Sequence, residues 1–159
     1  DLKPYLHGDN YSSSPEMTAL AATKTLIIGA AFDATSRTIS YCLMTHSLEV
    51  LHVLISSASQ ATHVHLLKPL IRRHYTFIVC SHLQHSVSLL FIPDKEILEL
   101  VPAKRLFEGQ IAGMCVLSDS EVLLYGSSAQ PKTISISSDK AQAIMRASGG
   151  PGHSIQSNW

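Results

Sequence analysis

The sequence predicts an all-β protein made of consecutive four-stranded antiparallel units, and three observations predict it. Apolar runs rich in Val, Ile, Thr, Tyr and Phe recur along the chain at strand length. Short clusters of Asp, Ser, Thr, Arg or Pro separate them, residues that suit turns. The pattern then returns after nearly the same number of residues. The densest stretch, 25–56, holds three runs at 25–32, 38–44 and 48–55, divided only by 33–37 and 45–47. It reads as a meander, and the rest of the chain is organised around it.

Residues 1–16 mix Pro, Gly, Asn and a Ser triplet without periodicity and read as a flexible tail. A short apolar run at 17–22 joins the meander to give a first unit, 17–56. After a small-residue loop, strands expected at 61–67, 75–80, 86–92 and 96–101 give a second unit, 61–101. Pro69 is expected to end the first of these strands, and Arg72-Arg73-His74 to form a basic turn. Residues 102–109 read as a connector. Strands expected at 110–117, 121–125 and 133–137 give a third unit, 110–137, with no evident fourth strand. The remainder, 138–159, reads as a C-terminal helix or tail, with a helix over 140–147 capped by Ser138 or Asp139.

The repeat carries a number. The third strands align on Ile39, Val87 and Ile134, 48 and 47 residues apart, each an apolar residue flanked by hydroxyls. A steady period of this size with four short strands per unit matches propeller blades, whose usual repeat is about 40–45 residues. At 30–54 the sequence AAFDATSRTISYCLMTHSLEVLHVL resembles the second to fourth strands of the WD40-like β-propeller family, and 84–101 does so less closely. The resemblance covers roughly 17–137. Where that family places its Trp-Asp pair this chain has Cys42-Leu43 and Leu90-Phe91, and the Gly-His pair and turn aspartate are missing. It therefore implies a topology of three degenerate blades and no functional residue. Propellers close with about four to eight blades. Three leave an apolar flank that another chain, a second copy or the remainder of a longer polypeptide must cover. A β-sandwich is the alternative architecture.

Composition narrows the function. At 159 residues the chain is one domain's worth, with Lys+Arg and Asp+Glu equal at 12 each and only 15% charged residues. Nucleic-acid binding draws on excess Lys and Arg, which is missing. No apolar run approaches the roughly 20 residues of a helical membrane span. No secretory signal is visible, so the Asn10-Tyr11-Ser12 triplet carries no weight as a glycosylation site. Cys42, Cys80 and Cys115 are odd in number and far apart, the pattern of reduced thiols in an intracellular compartment, cytoplasm or nucleus.

No chemical motif stands out. His63 and His65 share a strand face, and His82 and His85 lie at the end of a neighbouring strand with Cys80. Neither spacing implies zinc, and ordinary strand and loop histidines are expected, with no metal and no cofactor. There is no Gly-x-Ser-x-Gly, and Gly149-Gly150-Pro151-Gly152 follows no strand as a phosphate loop would. The clearest surface signals are Lys68 with Arg72, Arg73 and His74, expected in one inter-strand turn facing an acidic partner segment, and Tyr5 and Tyr11 as aromatic anchors in the tail. The resulting expectation is a non-enzymatic protein–protein interaction scaffold, a subunit or fragment of a larger intracellular complex. Loops such as 67–73 and 102–109 would carry its partner. The alternatives are a structural sandwich subunit, or a hydrolase whose Ser or Cys would show itself by a histidine within hydrogen-bond reach.

Overall fold

The structure, a computed structural model, describes residues 15–56, 63–127 and 130–137, with single helical positions at 139, 142, 143 and 146. Those four positions fall in or beside the helix expected at 140–147. Among the described residues eleven strands form three antiparallel sheets. Sheet A holds β1 (Glu16–Ala22), β2 (Leu26–Asp33), β3 (Thr38–Thr45) and β4 (Val50–Ser56). Sheet B holds β5 (Val64–Ile71), β6 (Thr76–His82), β7 (Ser86–Ile92) and β8 (Leu98–Arg105). Sheet C holds β9 (Gly113–Val116), β10 (Glu121–Tyr125) and β11 (Lys132–Ser135). Each sheet is a simple meander in which every strand pairs with its sequence neighbour.

Side chains close the turns. Asp33 Oδ1 accepts the N–H groups of Thr35 (2.8 Å) and Ser36 (3.3 Å), which bends the chain from β2 to β3. Those bonds hold the Asp33 carboxyl below its ordinary range. Arg37 and Leu48 complete the β2–β3 and β3–β4 turns with φ of 55° and 67°. Between β6 and β7 a short 3₁₀ turn, Leu83–His85, ends on His85 with φ of 81°.

Two cores hold the sheets together. Ile28, Ile39, Tyr41 and Leu43 of sheet A meet Ile78, Cys80, Leu90 and Ile92 of sheet B. The other face of sheet B, with Phe77, Val79, Leu89 and Phe91, meets Met114, Val122, Leu124 and Ile134 of sheet C. Sheet B is thus buried on both faces, which is why 76–80 and 88–92 are apolar almost without alternation. At one margin of the stack β1 packs against β5 and β5 against β9. At the other, β4 is tied to sheet B by side chains: the Ile97 N–H donates to His52 Nδ1 (2.9 Å), and Ser56 Oγ donates to Glu99 Oε2 (2.8 Å).

Four expectations need correction. Pro69 does not end β5, and Pro102 does not open a connector. Pro69 lies opposite Ile78 inside β5, and Pro102 lies within β8. Both strands lie at an edge of sheet B, the position in a sheet where proline is tolerated. The strand expected at 110–117 shortens to Gly113–Val116, because Ile111 is drawn into the core beside Leu106 and Phe107. The repeat alignment also slips. Ile39, Val87 and Ile134 do occupy the third strand of each sheet, but Ile39 and Val87 face the following sheet while Ile134 faces the preceding one. A strict 48-residue step from Val87 reaches Ser135, which is exposed. A one-residue slip flips a strand's faces. Among the described residues no sheet lies beyond sheet C, so it carries its apolar side chains inward.

Candidate functional site

The predicted basic patch is divided by the fold. Lys68 lies mid-strand in β5, opposite Val79 and half-buried, rather than in a turn. The turn itself is Arg72–Tyr75, closed by the Arg72 N–H donating to the Tyr75 carbonyl (2.9 Å). Tyr75 roots one end of it in an aromatic cluster, 5.4 Å from Phe77 and 5.5 Å from Phe91 between ring centroids. Arg72 roots the other: its Nη1 lies 3.6 Å from Asp119 Oδ2 in the β9–β10 turn. The Arg72 Nε and Nη2 atoms are sealed from solvent, so this guanidinium is turned in against the β9–β10 turn and is not offered to a ligand. Arg73 and His74 remain, adjacent and exposed. Tyr5 and Tyr11 lie outside the described residues.

The loops expected to carry a partner contract in the same way. Residues 67–71 belong to β5 and 102–105 to β8, while Leu106 and Phe107 are buried. What is exposed is Ile71, Arg73 and His74 on one side, and Pro102, Lys104, Arg105, Glu108 and Gln110 on the other.

The histidines go to separate tasks. His63 lies against Phe32, the rings tilted by 51° with centroids 5.8 Å apart. His65 Nε2 donates to the Ile111 carbonyl (2.8 Å), fixing the chain between β8 and β9. His46 Nε2 donates to the Thr23 carbonyl (2.9 Å), joining two turns of sheet A. Among the described residues no three His, Cys, Asp or Glu side chains gather as a metal site.

One pair escaped the sequence reading. His82 Nε2 lies 2.8 Å from Ser88 Oγ across the β6–β7 hairpin, the arrangement expected of an activated serine. Its surroundings deny that chemistry. His82 is 2% exposed and Ser88 1%, beneath sheet A, so no substrate reaches the hydroxyl. Cys80 and Tyr41 adjoin the pair, and burial pushes the Cys80 thiol up to about 12 and the Tyr41 phenol far above its ordinary value. Cys80 is thus a neutral thiol at physiological pH and no nucleophile. The only signal in the sequence was the placement of His82 and Ser88 on either side of a short hairpin.

The Tyr41 hydroxyl lies near Ser88 and Cys80 without hydrogen-bond geometry to either, and it is sealed from solvent. A buried unpaired hydroxyl costs about 1–3 kcal/mol. Tyr41→Phe is therefore expected to raise stability by about 1 kcal/mol in urea titration. A loss of that size would show that the hydroxyl is bonded in solution.

The chain matches no family model and no curated protein. Its function is therefore read from the fold and these sites.

Proposed function

We propose that the chain is a non-enzymatic protein–protein interaction scaffold of the cytoplasm or nucleus, built of three propeller-like blades whose stack is completed from outside. The observation that carries the reading is the grouping of the first strands. β1, β5 and β9 meet in sequence order along one margin, while β4 and β8 lie at the opposite one. First strands gathered at the centre with fourth strands at the rim is the radial order of blades. The free thiols support a reducing compartment, and no helix among the described residues is long and apolar enough to cross a membrane. The Arg73–His74 tip presents cationic and hydrogen-bonding groups on a turn rooted at both ends, which suits an acidic partner segment.

The test uses the tagged full chain as bait in a cell extract, beside the Arg73→Glu/His74→Glu variant. A partner recovered in fixed stoichiometry by the parent, and at least tenfold less by a variant of unchanged thermal midpoint, supports the reading. Equal recovery by both removes this turn as the docking point. Hydrolysis of a simple aryl ester by the purified chain, lost in Ser88→Ala, would overturn the non-enzymatic reading in favour of the hydrolase.

A further inference from the structure

Two anchors set β5 and β9 side by side. Near their starts His65 Nε2 meets the Ile111 carbonyl (2.8 Å), and past their ends Arg72 Nη1 lies 3.6 Å from Asp119 Oδ2. These partners are 46 and 47 residues apart in the chain, so the two strands run in the same direction and keep step. The same step from Ile71, the last residue of β5, reaches Leu117 and Ser118, which follow β9 directly. Ile71 is 59% exposed, Leu117 51% and Val116 38%. Among the described residues eight large apolar side chains are exposed, and three of them fall at this one corner. Exposed apolar residues scattered singly need no explanation, whereas a group of them marks a contact surface.

Both turns at this corner are held in place. The 72–75 turn is closed by its own backbone bond, and Tyr75 packs between Phe77 and Phe91. The β9–β10 turn is closed by the Leu117 N–H on the Glu121 carbonyl (3.0 Å) and by the Ser120 N–H on Ser118 Oγ (3.3 Å). Such a surface needs little ordering when a partner arrives. Its charge is also one-sided. Of the two carboxylates in the β9–β10 turn, Asp119 faces Arg72, and Glu121 is half-buried at the start of β10. The charged and polar groups that follow Ile71 into solvent are Arg73 and His74, both exposed. An apolar pair beside a cationic rim is complementary to an apolar side chain beside carboxylates.

We propose that Ile71 and Leu117 are the apolar half of a docking site whose cationic half is Arg73 and His74. Its occupant is an extended partner segment carrying a large apolar side chain within two or three residues of carboxylates. That spacing follows from the strand: Ile71 and Arg73 are two residues apart, about 7 Å along an extended chain. The inference rests on the reading of the Arg73–His74 tip as a docking point, and it adds what the partner must bring besides charge. Few residues take part, so the contact belongs with the small, transient interfaces.

The test is fluorescence polarisation of three labelled ten-residue peptides against the full chain at up to about 1 mM. The first peptide places two leucines between paired glutamates. The second replaces its leucines by serine, and the third replaces its glutamates by lysine. The expected result is a Kd below about 100 µM for the first peptide and at least fivefold weaker binding of the other two. Ile71→Ser and Leu117→Ser should each weaken the first peptide at least fivefold, and Arg73→Glu at least tenfold. Both apolar positions are exposed, so the serine variants keep the parent's thermal midpoint, and each checks the other. Ile55→Ser, at an exposed position on β4 at the far margin, should bind as the parent does. Equal binding of the leucine and serine peptides, lost in Arg73→Glu, overturns the proposal while the charged docking point survives. Binding of the first peptide untouched by Ile71→Ser and Leu117→Ser places its leucines elsewhere and also overturns it. So does a failure of all three peptides to bind, which leaves the scaffold reading to the extract experiment.

Discussion

Phe91→Ala is expected to lower the stability of the fold by about 3–5 kcal/mol, the usual range for emptying a fully buried aromatic site. Phe91 sits in β7 at the middle of the central sheet and is fully buried. Its ring lies 5.6 Å from that of Phe77 and 5.5 Å from that of Tyr75, tilted to both. Each such aromatic pair adds about 0.5–1.5 kcal/mol beyond the area buried. Sheet B cannot relax into the vacancy from either side, because sheets A and C hold its two faces. A domain of this size has only about 5–15 kcal/mol in total, so this one substitution takes a large share. In urea the midpoint should fall with an unchanged slope, and the thermal midpoint should drop by about 6–20 °C. Leu117→Ala, at an exposed position, should stay within about 0.5 kcal/mol of the parent. A loss for Phe91→Ala below about 1.5 kcal/mol would mean that sheet C is not seated on that face in solution.

The same burial explains what could be read from the sequence. β7 and β10 occupy 86–92 and 121–125 as expected, because an inner strand bounded by turn residues leaves little freedom at its ends. Strands paired on one side obey weaker rules. β5 and β8 absorb Pro69 and Pro102, and no local pattern announces which strand will lie at a sheet margin. The repeat pointed to the third strand of each sheet but not to its facing. Thr-Ile-Ser reads the same whether its isoleucine meets the sheet before or the sheet after, and only the neighbours decide.

The surface was less legible than the core for a related reason. Arg72 and Arg73 are adjacent and chemically identical, yet one is turned against Asp119 and the other is exposed. That division depends on a turn 47 residues away in the chain, which local reasoning does not reach. His82 and Ser88 came together through hairpin register, and their burial came from sheet A, a separate unit. Contacts between sheets settled which of the two arginines and which of the polar pairs were withdrawn from solvent.

Those contacts also make Gly126 the second sensitive position. It follows β10, where the chain passes the link between β8 and β9, and the Ala112 N–H donates to the Tyr125 carbonyl next to it (2.8 Å). A Cβ on Gly126 would run into the Gln110 carbonyl oxygen and come to 3.0 Å from Phe107 Cε1. Neither neighbour yields cheaply. The first is backbone, and Phe107 is 2% exposed in the core between sheets B and C. Gly126→Ala is therefore expected to cost about 2–3 kcal/mol, in the range of core overpacking. Gly113 offers the contrast, since the atoms a Cβ there would meet first all belong to the Tyr125 side chain. That ring is 44% exposed and can swing into solvent, so Gly113→Ala should cost less than about 1 kcal/mol. Paired urea titrations of the two variants measure the difference directly. If Gly126→Ala proved as mild as Gly113→Ala, the 106–112 link would have to stand away from β10, and with it the anchorage of sheet C to sheet B.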